Sequence, residues 1–140
     1  APFVTGTIGL MFSLCPELQA KEVETILRLT AKNIDHIEAN KPFKGHYGAG
    51  MLQSGAALDL VAALYDGQGI AIIKDQIIDR WSQRLSAFNR AVILKDIAFT
   101  DEAAFELRAK NQIVLKPGTR LAPENKNGIR LTIEPWMSLR

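Results

Sequence analysis

From Pro2 to Leu14 the chain carries no charge, and its apolar and small residues leave no polar stripe for water. That pattern predicts a helix that other structure must enclose on every side. Thr5, Gly6, Thr7 and Gly9 are poor helix formers, each Gly costing about 1 kcal/mol against Ala, and close approach of neighbouring backbones is the expected compensation. Pro16 ends the run. A second helix follows, with Val23, Ile26, Leu27 and Thr30 on one stripe, Glu22 and Glu24 early, and Arg28 and Lys32 late, an order that suits the helix dipole. Asn33 to Lys44 is polar with one Pro and reads as a loop. Gly45, Gly48 and Gly50 punctuate a short extended piece before a third helix from Ser54 to Tyr65, with Gly67 as its C-terminal stop.

The texture then changes. Ile70, Ile72, Ile73, Ile77 and Ile78, then Ala91 to Leu94, Phe105 to Leu107, Ile113 to Leu115 and Ile129 to Ile133 are strand candidates. Pro117-Gly118 fits the centre of a type II turn, and Asn127-Gly128 fits a tight hairpin. Together they predict a compact β module, built as an ordinary small sandwich. A stacked repeat is the alternative: Ile72-Ile73-Lys74, Ile93-Leu94-Lys95 and Val114-Leu115-Lys116 echo one another, with their lysines 21 residues apart.

Of 140 residues, 47% are hydrophobic and 23% charged, which suits one ordinary domain or two small ones and excludes disorder. Residues 1–67 hold five basic and seven acidic residues, and residues 68–140 hold twelve and eight, so a boundary is expected near Asp66-Gly67-Gln68-Gly69. The single Cys15 excludes an internal disulfide and a cysteine-based zinc site within the chain. The apolar run falls short of the roughly 20 residues a membrane-spanning helix needs, so none is expected. The chain opens Ala1-Pro2-Phe3 without Met or a basic segment and reads as trimmed at its N-terminus.

The residues alone support little chemistry. A Ser, His and acid triad needs convergence, and His46 with Ser54 and Asp59 has only sequence proximity. Asp35, His36 and Glu38 lack any metal-ligand spacing and read as a solvated loop. Gly45-His46-Tyr47-Gly48-Ala49-Gly50 has neither the dinucleotide spacing nor the lysine of a phosphate loop, and reads as a turn. Arg108, Lys110, Lys116 and Arg120 interleave with Leu107, Ile113 and Leu115 as the wet face of strands does, without stacking aromatics, so no nucleic-acid partner is expected.

Taken in order, three segments form a pattern: Ala1-Pro2-Phe3-Val4-Thr5-Gly6-Thr7-Ile8-Gly9-Leu10; Cys15-Pro16-Glu17-Leu18 leading into Val23-Glu24-Thr25-Ile26-Leu27 and Thr30-Ala31; and Tyr47-Gly48-Ala49-Gly50-Met51-Leu52 before Ala56-Ala57. The first 65 residues resemble the C-terminal end of a subtilisin-like serine peptidase domain. In that family the nucleophilic serine stands in a Gly-Thr-Ser-x-Ala-x-Pro motif at the start of a buried central helix. An amphipathic helix, a Tyr-Gly-x-Gly turn and a final surface helix follow. Ala1-Pro2 matches the motif's last two positions, which puts the serine three residues before Ala1. Two positions depart from the family: Gln53 where Asn or Asp is usual, and Gln19 in a capping place usually held by Thr or Ser, where Gln caps poorly.

The resemblance implies an α/β fold, with residues 1–67 as the C-terminal helical part of a three-layer peptidase domain and residues 68–140 as a small all-β module. Ala104 to Asn111 followed by Val114 to Gly118 is similar to short β modules appended to secreted bacterial proteins. The implied activity is peptide-bond hydrolysis by a serine endopeptidase whose Asp, His and Ser all precede Ala1. No residue of this chain is then catalytic, cofactor-binding or metal-binding, although the family allows structural calcium elsewhere in the parent. The implied partners are the N-terminal portion of the same domain and a polypeptide substrate, in a secreted, periplasmic or cell-surface setting. Two alternatives stand beside it: an inactive subtilisin-like scaffold, and a surface-binding β module.

Overall fold

A computed structural model describes residues 1–139. Helices come first: α1 (Pro2–Leu14), α2 (Ala20–Thr30), a short 3-10 helix (Glu38–Phe43) inside the segment expected to be loop, and α3 (Ser54–Tyr65). Pro2 occupies the first turn of α1, where a missing N–H costs no helical bond. Gln19 precedes α2, and the expected weak cap is made good by Glu22, whose carboxylate accepts the Gln19 N–H at 3.1 Å. Gly67 does not take the left-handed stop expected of it. Asp66 ends α3 instead, its side chain accepting the Gln68 N–H at 3.0 Å.

Seven strands follow among the described residues: β1 (Ile70–Ile78), β2 (Ser82–Ala87), β3 (Ala91–Asp101), β4 (Ala104–Ala109), β5 (Ile113–Leu115), β6 (Arg120–Pro123) and β7 (Ile129–Ile133). Every named pairing is parallel. One open sheet contains β1, β3, β5 and β6, the other β2, β4 and β7. Ile70 faces Ala91 and Val92 faces Ile113, a 21-residue step each time. The chain therefore winds through three turns, each laying strand onto both sheets. The fold is mixed α/β with parallel-strand sheets.

Two expectations are corrected here. The sandwich of hairpins is replaced by stacked turns, and the lysine echo is their register, since Lys74 lies opposite Lys95. Asn127-Gly128 makes no hairpin, because β6 and β7 belong to different sheets and never pair. Pro117-Gly118 does form its turn, with Gly118 at φ 85° and the Thr119 N–H bonded to the Lys116 carbonyl at 3.3 Å. At matching heights Asp75, Asp96 and Gly118 all adopt positive φ, which bends each turn at the same place. Asp tolerates that conformation, but the third position needs Gly: a Cβ there would stand 2.1 Å from Asp96 Oδ1.

The core runs up the inside of the turns and continues between the helices as one cluster. Phe99 and Phe105 stack inside it at 4.6 Å. The helices close the first turn. Val23, Ile26 and Leu29 of α2 and Leu60, Val61 and Leu64 of α3 are buried against it. Thr25 Oγ1 accepts the Arg84 N–H at 2.9 Å, and the Leu64 carbonyl accepts the Phe88 N–H at 2.8 Å, supplying bonds that strand pairing would give elsewhere.

One side chain contradicts its surroundings. Gln83 alternates with the exposed Ser82 and half-exposed Arg84, so it points inward with Leu85, and its amide finds no partner among the described residues. Gln83→Leu is expected to raise stability by about 1 kcal/mol, since it removes an orphaned amide while keeping the volume. Gly118→Ala is expected to lower it by about 2 kcal/mol, from the steric clash and the strained φ. Equilibrium unfolding in urea checks both, and opposite signs would overturn this account of the turns.

Candidate functional site

The surface that stands out is α1. On one side Thr7 and Met11 are buried against α3, and the Thr7 and Ser54 hydroxyls share a hydrogen bond of 2.6 Å. The other side is open: Phe3 is 85% exposed, Leu10 54% and Leu14 56%. The helix expected to be enclosed all round is thus enclosed on one side by this chain. Its apolar face is a contiguous patch of a kind that marks interaction surfaces. Gly6 and Gly9 lie on it, and a Cβ at either would meet nothing within 4 Å. Among the described residues no backbone uses the close approach they allow.

The residues weighed for catalysis do not converge. His46 and Asp59 are exposed, and Ser54 is engaged by Thr7. Asp35 is held by Tyr47 and Asn33, Glu38 pairs with Lys41, and His36 is exposed. Among the described residues no three His, Cys, Asp or Glu side chains form a group able to hold a metal. Arg108 is half-buried against Ser86 and Glu134, whereas Lys116 and Arg120 stay on the surface. Cys15 is buried, and burial pushes its thiol up, so it is not a ready thiolate. Burial also pushes the Tyr65 hydroxyl up, keeping it a donor to Glu22 at 3.3 Å.

The glycine-rich turn faces a cation. Arg80 donates to the Gly45 carbonyl at 2.8 Å and to the Gly48 carbonyl at 3.0 Å, so acceptors point inward where an anion cradle would present amides. The guanidiniums of Arg28 and Arg80 lie 4.4 and 4.3 Å from the Trp81 ring centre. These contacts pin the loop to the corner between β1 and β2. Gly50 is needed there, because a Cβ would sit 2.2 Å from the Lys32 carbonyl oxygen, beside the Lys32–Met51 bridge. Sequence reading missed Arg80 and Trp81, since nothing local ties them to a turn more than thirty residues earlier.

No family model, curated protein or solved structure matches the chain. Among the described residues no helix is long and apolar enough to cross a membrane. The open face of α1 therefore stands on its own geometry.

The loop carries a pH signature. The Tyr47 hydroxyl, then Asn33 and Lys44, hold the Asp35 carboxyl below its ordinary value of 3.8. A depressed carboxyl stabilises the fold above that value, and the contribution fades as pH falls through the lower, folded one. In Tyr47→Phe the Asp35 midpoint, read by NMR titration, is expected to rise toward 3.8. An unchanged midpoint would refute the role given to Tyr47.

Proposed function

We propose that this chain is the C-terminal segment of a subtilisin-like serine endopeptidase that hydrolyses peptide bonds, its Asp, His and Ser lying upstream of Ala1. The observation that carries the reading is α1: a helix opening at Ala1-Pro2 whose uncovered face combines Phe3, Leu10 and Leu14 with Gly6 and Gly9. A central helix of that family needs those features, since neighbouring elements close on it from all sides. The segment order that follows, through Tyr47-Gly48-Ala49-Gly50 to the helix at Ser54, agrees with the family's order.

In this reading α1 holds the serine at its N-terminal end, where the helix dipole favours the charge that develops during acyl transfer. The upstream portion of the same domain covers the open face, and the substrate is a polypeptide. Residues 1–67 complete the peptidase core, and residues 68–140 form a small all-β module appended to it. The family allows a structural calcium ion elsewhere in the parent domain. A secreted, periplasmic or cell-surface setting in a bacterium follows from the family.

The test is to read the codons preceding Ala1 and assay the encoded protein. Gly-Thr-Ser-x-Ala is expected there, with casein hydrolysis that a Ser→Ala substitution abolishes, while the purified 140-residue chain alone gives no turnover above background. A replaced serine would turn the reading to an inactive scaffold. Turnover by the 140-residue chain, or a frame without the motif, would overturn it.

A further inference from the structure

We propose that the outer edge of β1 captures an extended polypeptide segment by strand addition. This goes beyond the peptidase reading and does not depend on it. β1 ends its sheet and pairs only with β3 among the described residues. β2, which ends the other sheet, has its edge covered by α2 through the Thr25 to Arg84 bond. β1 is touched by α2 and α3 as well, and between them a cavity of about 590 Å³ lies along it. Outward-facing Ile72 and inward-facing Ile73 both line that cavity, so it runs along the backbone edge. Ala56, Leu60 and Ala63 of α3 form the opposite wall, and Gln76, bonded to the Ala31 carbonyl, closes one end.

What fits such a slot follows from its walls. Unpaired backbone groups are satisfied by another strand, and main-chain pairing gives affinity whatever the sequence. A second copy of this chain brings its own α3 to the place its β1 would have to leave free, so two slots cannot interlock. A single extended segment enters, and the five residues Ile70 to Lys74 offer it about 16 Å at about 3.3 Å per residue.

The sheet also states a preference. Ile72, Ile93 and Val114 form an apolar row across it, which a β-branched residue would extend. Lys74 lies directly opposite Lys95, a like-charge pair. Among the described residues each lysine has only a neighbouring Asp, at 4.0 or 3.9 Å, so an acidic residue on the added strand relieves the repulsion. The captured segment is therefore an extended one with alternating β-branched residues and an acidic residue at the end beside Lys74.

The probe is the peptide acetyl-Val-Thr-Val-Thr-Glu-amide at millimolar concentration, read by amide hydrogen exchange on the 140-residue chain. Exchange across residues 70–76 is expected to slow about tenfold, and less with Lys in place of Glu in the peptide. Ala56→Trp, on an exposed position of the slot's wall, should abolish the effect. Lys74→Glu should reverse the preference between the two peptides, with circular dichroism confirming that both variants fold. Absence of protection, or protection indifferent to both substitutions, overturns the proposal. So does β1 protected without peptide, either by concentration-dependent dimerisation or by upstream residues in the longer protein.

Discussion

Parallel strands stacked in turns leave a raw edge at each end, and the structure depends on how the helices close part of the first one. Thr25 takes the Arg84 N–H, Leu64 takes the Phe88 N–H and Gln76 reaches the Ala31 carbonyl, so helix and strand groups finish one another's hydrogen bonding. A buried N–H left without these acceptors would cost about 1–3 kcal/mol. The same helices bring Ile26 and Leu64, both fully buried, over the open end of the core. Burying such a side chain contributes about 1.5–3 kcal/mol. Closure is therefore both polar and apolar, and loss of either half exposes the other.

The three helices were legible because each has a signal that needs no distant partner: an uncharged run between prolines, a one-sided stripe, and a run from Ser54 to Tyr65 closed by Gly67. The strands were half legible. Short apolar runs mark β1, β3, β4, β5 and β7, but such a run is the same whichever way the neighbour runs, so hairpins and stacked turns read alike. The 21-residue lysine echo held the answer, because only stacked turns put equivalent residues opposite each other. β2 escaped notice because Ser82, Gln83 and Arg84 look like surface, yet Gln83 is inside. β6 escaped because Arg120-Leu121-Ala122-Pro123 is only four residues long, with one large apolar side chain and a Pro at its end.

The candidate chemistry was legible mainly as an absence of pattern, and the structure keeps those residues apart for particular reasons. Ser54 starts a helix and spends its hydroxyl on Thr7. Asp35 serves a loop held by Tyr47, and Arg80 reaches that loop from a strand corner whose position no local rule predicts. The open face of α1 was visible earlier as an energetic anomaly: two glycines and two threonines inside a helix with no polar stripe. Each Gly costs about 1 kcal/mol of helix stability. Among the described residues nothing packs on Gly6 or Gly9, so that cost has no visible compensation there.

Two surfaces thus stay unsatisfied, and they ask for different things. The face of α1 presents side chains, Phe3 and Leu10 above all, beside glycines that admit a close backbone; it is matched by a packed, pre-shaped apolar wall. The edge of β1 presents main-chain groups along a slot walled by Ala56, Leu60 and Ala63, and it is matched by a backbone in extended form. A folded neighbour satisfies the first without meeting the second, since a shaped wall has no free strand to insert. An unfolded segment satisfies the second but leaves the α1 face wet, because a lone strand cannot cover a helix of 13 residues. The two surfaces therefore differ in what would cover them, and a folded wall against α1 would leave the edge of β1 free for an extended strand.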